Sequence, residues 1–92
     1  MTMAQAKPSI DPPFKLSPWE KETWDWALAG MLDMMESETE EDGNDWSEAG
    51  QRADMLYRIG TQAPDIARVE GEKSELRRLD SFYQKLVKAW QV

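Results

Sequence analysis

The segment Ser17–Met35, SPWEKETWDWALAGMLDMM, carries both a helix start signal and a helical pattern of apolar residues. Ser17 followed three residues later by Glu20 is a capping-box spacing, and Pro18 stands at the first helical position, where its missing N–H costs nothing. At 100° per residue, Thr23, Trp24, Ala27, Leu28, Gly30, Met31, Leu32, Met34 and Met35 share one broad arc. Glu22, Asp25, Asp33 and Glu36 gather opposite with Ala29, and Trp19 and Trp26 lie at the boundary. Such a helix is expected to bury most of its circumference, with the other segments covering it.

A second helix is expected from about 46 to 59. Asp45 with Glu48 repeats the capping spacing, and Trp46, Ala49, Gly50, Ala53, Leu56 and Tyr57 recur at helical intervals up to Gly60, a natural terminator. A third is expected from about 64 to 91, capped by Thr61 or Ala63. In it Leu76, Leu79, Tyr83, Leu86 and Trp90 alternate spacings of three and four. Gly71 marks a point where this helix kinks or breaks. The expected fold is all-α: a small three-helix, up-down-up bundle over residues 17–92. Residues 1–16, with Pro8, Pro12 and Pro13 and no apolar period, form an extended or disordered N-terminal arm. Ile10, Phe14 and Leu16 are apolar enough to lie on the bundle, but chain ends usually fray, and a loose tail is the first expectation.

Composition narrows the chemistry. The 92 residues contain no cysteine and no histidine, which removes the Ser-His-Asp triad, thiol nucleophiles, histidine bases and ordinary zinc sites. Glycine-rich phosphate loops are absent, and acidic stretches lack the apolar wall that raises a carboxyl pKa towards neutrality. The expectation is a non-enzyme without cofactor or metal. A calcium loop built on Gly43 would start with Glu38, Glu40 and Asp42 but close on Ala49, where a bidentate glutamate is needed. No apolar run reaches the roughly 18 residues of a membrane span, and there is no signal-peptide pattern, so a soluble, cytoplasmic protein is expected.

Charge is the strongest functional signal. The net charge is −7, and between Trp19 and Glu48 eleven acidic residues face one basic residue, Lys21. Direct binding of nucleic acid is disfavoured by such a balance. The basic residues of the last helix, Lys73, Arg77, Arg78, Lys85 and Lys88, are sparse and read as a solvated face, with Glu75–Arg78 and Arg68–Glu72 as helical pairs. Asp25, Asp33, Glu36, Glu38, Glu40, Glu41, Asp42 and Asp45 would instead present a negative surface to a basic protein partner, with Trp26 and Trp46 as apolar anchors. In bulk composition the chain resembles phage and mobile-element inhibitors that block nucleic-acid-binding enzymes, anti-restriction and anti-CRISPR proteins among them. That resemblance, which secretion chaperones and antitoxins share in bulk composition, fits an inhibitor occupying a nucleic-acid-binding surface. The alternative is a homodimeric structural, adaptor or chaperone-like protein of the secretion-chaperone or antitoxin class. Met31, Met35, Leu79, Tyr83, Leu86 and Trp90 would then form the seam between two copies.

Overall fold

Ser17 opens the first helix as its sequence predicts. In a computed structural model that describes residues 10–37 and 46–91, helix α1 spans Pro18–Ser37. The capping box is closed from both sides: the Ser17 N–H donates to Glu20 Oε1 at 2.9 Å, and the Glu20 N–H donates to Ser17 Oγ at 3.2 Å. The buried face of α1 is narrower than the apolar arc. Glu20, Trp24, Ala27 and Met31 form its buried stripe, while Met34, inside the arc, is 39% exposed. Trp26, at the arc's edge, faces solvent.

Helix α2 spans Glu48–Tyr57 and starts later than its sequence suggests. Ser47 is the cap, with an extended backbone and a hydroxyl that accepts from the Gly50 N–H at 3.2 Å. Asp45, the expected cap, lies outside the described residues. Gly60 does not terminate the helix. The chain continues through a π turn, Arg58–Gln62, into α3, Ala63–Glu70, with helical dihedrals at both junctions. Pro64 accounts for the wide turn: it cannot donate to the carbonyl four residues back, at Gly60, and its ring crowds that position in an α-helix. One π turn immediately before it, with the Ala63 N–H bonded back to the Arg58 carbonyl, absorbs the mismatch. Gly60 serves a different purpose there. A Cβ at this position would stand 2.6 Å from the Tyr83 ring, so the glycine lets the last helix approach.

The rod from 48 to 70 ends at Gly71, whose left-handed φ of 75° caps α3 by donating to the Ala67 and Arg68 carbonyls. Helix α4, Lys73–Trp90, follows. The fold is a small all-α bundle of three helical rods with an N-terminal arm, but the second and third rods divide at Gly71, eleven residues beyond the expected division at Gly60. Arg68 accordingly pairs with Asp65 at 2.8 Å rather than with Glu72, because the helix ends between them. Among the described residues there is no strand, and none of their helices is long and apolar enough to cross a membrane.

The three rods enclose Trp24, Ala27, Met31, Met55, Leu56, Ile59, Phe82 and Leu86, joined by Ile10 of the arm. The arm is therefore packed from Ile10 to Leu16. Phe14 and Trp19 meet the Phe82 ring edge-on, at centroid distances of 6.3 and 6.1 Å. Lys85 secures the arrangement: its ammonium lies 2.7 Å from Glu20 Oε2 and 4.6 Å from the Phe14 ring centroid, linking arm, α1 and α4.

Burial pushes the Glu20 carboxyl pKa up, but the Lys85 ammonium and the hydrogen bonds of Ser17 outweigh it and hold the value below the ordinary glutamate range. A carboxyl depressed in the folded state stabilises the fold above its unfolded pKa, and that contribution is lost as pH falls through the folded value. Glu20→Gln should cost about 1 kcal/mol at neutral pH, since half-exposed Lys85 limits the loss. In urea titrations at several pH values, the gap between wild type and variant should close as pH drops below the glutamate range. A gap that is constant with pH would show that the pair contributes nothing through charge.

Candidate functional site

Two adjoining features of α1 make up the candidate surface. The first is the helix's outward arc. Glu22, Asp25, Trp26, Asp33 and Glu36 are all exposed and fall within about 100° of one another. Asp25 shares its charge with Lys21 at 3.1 Å, whereas Glu22, Asp33 and Glu36 have no cationic partner among the described residues. Trp26, 43% exposed, is the indole most open to solvent among the described tryptophans. An exposed indole flanked by unpaired carboxylates joins apolar contact area to negative potential, the pairing that recognises cationic protein surfaces.

The second feature is an open groove of about 230 Å³ where α1 faces α3 and the start of α4. Trp19, Thr23 and Trp26 form one wall. Ile66, 44% exposed, stands on the opposite side. Glu22, Glu70, Glu72 and Glu75 rim the opening, and among the described residues no lysine or arginine lines it. Trp19 is held in place, its Nε1–H donating to Glu75 Oε2 at 2.8 Å. Trp26 has no such tether and remains free to take a ligand against its face. The carboxylates ring the groove without converging: among the described residues no three acidic side chains come together as a metal site. This groove was not evident from the sequence, because it depends on α3 ending at Gly71 and turning Glu70 and Glu72 towards α1.

The remaining expected site residues fall elsewhere. Glu38, Glu40, Glu41, Asp42 and Asp45, with the Gly43 loop, lie outside the described residues. Trp46 is half-buried against the core, and its carbonyl accepts from Gln51 Nε2 at 2.8 Å. The residues expected at a dimer seam are used within one chain. Met31 and Leu86 are fully buried, Leu79 nearly so, and Met35, Tyr83 and Trp90 pack against the core. Trp90 meets Trp24 at 6.0 Å and receives the Arg52 guanidinium at 5.6 Å. Their heptad-like spacing reflects packing of α4 on its own neighbours.

Arg58 was not singled out in the sequence, and it is the buried cation of the bundle. Its Nε donates to Asp54 Oδ2 at 2.7 Å, and its Nη2 lies 3.8 Å from Met34 Sδ. Gly30 makes room for the guanidinium, since a Cβ there would come within 2.7 Å of Nη1. With its charge matched by Asp54, Arg58 joins α1 to the π turn and does not neutralise the outer arc. No family model, curated protein or solved structure matches the chain.

Proposed function

We propose that this chain is a non-enzymatic binding module that occupies a basic, nucleic-acid-binding surface of a protein partner, acting as a mimic of nucleic-acid charge. The carrying observation is the outer arc of α1, where unpaired Glu22, Asp33 and Glu36 surround exposed Trp26. The arc runs for about 21 Å along the helix, and in the sequence the acidic run follows at once after Ser37. A surface of this kind accelerates encounter with a cationic groove and repels nucleic acid itself. Glu20, the buried carboxylate among the described residues, has a lowered pKa, the opposite of what a general acid requires. Glu20 is thus no candidate general acid, and the function proposed is recognition.

The test is retention of proteins from the native host's lysate on the tagged chain, washed at low and high salt. A nucleic-acid-binding protein should be held at low salt, released at high salt and displaced by duplex DNA. Reversal of Asp33 and Glu36, together with Glu40, Glu41 and Asp42, to lysine should reduce retention at least about tenfold, with far-UV circular dichroism unchanged. Undiminished retention by that variant would overturn the reading.

A further inference from the structure

We propose that the groove between α1, α3 and the start of α4 is an anchor site for an arginine side chain presented by the partner's basic surface. This rests on the binding function proposed above and names the contact that would give it specificity. Apolar walls from Trp19, Trp26 and Ile66 meet a rim of Glu22, Glu70 and Glu72, and no cation among the described residues lines the opening. An occupant must therefore bring positive charge together with a surface that stacks on indole. Guanidinium meets both needs: it is planar, weakly hydrated, lies flat on tryptophan and offers a fork of donors to carboxylates. Lysine meets only the first.

Size points the same way. At about 230 Å³ the groove falls below the roughly 300–1,000 Å³ of small-molecule and cofactor sites, and suits a single side chain. The carboxylates do not converge as metal ligands would. The chain also builds this arrangement once for itself. On the adjoining side of Trp19, the Arg78 guanidinium lies 6.0 Å from the indole centroid and 4.0 Å from Glu75 Oε1. Trp26, Glu22 and Glu70 line the groove together and bring the same two kinds of group, an indole and carboxylates, to one opening.

The probe is a capped, tryptophan-free peptide, Ala-Leu-Arg-Ala-Leu-Arg-Ala, compared with versions carrying lysine or citrulline for arginine. Binding is followed by the indole N–H resonances of the 15N-labelled full chain. The arginine peptide should shift the Trp26 and Trp19 signals saturably, and the lysine peptide should bind more weakly. Citrulline, which keeps the shape without the charge, should not bind measurably. Trp26→Ala, and separately the exposed double change Glu70→Gln with Glu72→Gln, should each weaken binding about fivefold or more. Asp33→Lys, outside the groove, should change it far less. If the peptide binds but leaves Trp19 and Trp26 unmoved and responds only to Asp33→Lys or to reversal of the acidic run, the groove is rejected and the charge-mimic reading stands. Absence of binding at millimolar peptide rejects the groove as well, while lysate retention decides the broader reading independently.

Discussion

Leu86→Asp should leave the protein largely unfolded at 25 °C. Leu86 is fully buried among core residues contributed by α1, α2 and the π turn. Removing a buried leucine costs about 2–5 kcal/mol, and forcing a carboxyl into the same apolar site adds several more whether it ionises or protonates. At roughly 0.05–0.15 kcal/mol per residue, a chain of this length has a total stability of about 5–14 kcal/mol, and small domains sit near the lower end. The substitution thus approaches or exceeds what the fold can lose. The check is circular dichroism at 222 nm with a thermal melt: the cooperative transition should vanish, and Leu86→Ala should retain it at a lower midpoint. A Leu86→Asp variant that stays helical and changes only from dimer to monomer on a sizing column would place Leu86 between two copies and refute the packing described above.

That contrast shows where the sequence was informative. Leu79, Tyr83, Leu86 and Trp90 declare an apolar stripe on α4 but not whose surface it meets, because packing inside a chain and packing between chains use the same periodicity. Ser17, Pro18 and Glu20 located the start of α1 correctly, since capping involves neighbours in sequence. Gly60 and Gly71 could not be told apart in the same way. Both are punctuating glycines, yet Gly71 adopts the left-handed cap whereas Gly60 is required for the approach of Tyr83, 23 residues away. The candidate groove inherits that ambiguity. Glu22 was visible on the polar face of α1 and Trp26 at its boundary, but Glu70 and Glu72 reach the same opening only because the rod continues past Gly60 and stops at Gly71. Met34 and Arg58 were obscured for a related reason: a nominally core methionine lies at the surface beside an arginine that is nearly buried, neutralised by Asp54 within its own rod.

Phe82→Ala is the second substitution expected to be severe. Phe82 is fully buried, and its ring is where three parts of the chain converge: α4 supplies it, α1 brings Trp19 and the arm brings Phe14. Truncation of a buried phenylalanine costs about 3–5 kcal/mol, to which the two edge-to-face contacts contribute about 0.5–1.5 kcal/mol each. The expected result is a protein at the margin of stability whose arm is released first, seen as random-coil side-chain resonances of Ile10 and Phe14 while the α1 and α4 amides retain part of their exchange protection. Phe82→Leu fills much of the volume without offering a ring edge and should cost less, leaving enough folded protein for a double-mutant cycle. In that cycle Phe14→Ala should be destabilising in wild type and milder in the Phe82→Leu background, with a coupling of about 1 kcal/mol. Additive effects would mean that Phe14 and Phe82 do not recognise each other. The packed arm from Ile10 to Leu16 would then have to depend on the Lys85 contact and on burial of Ile10 instead.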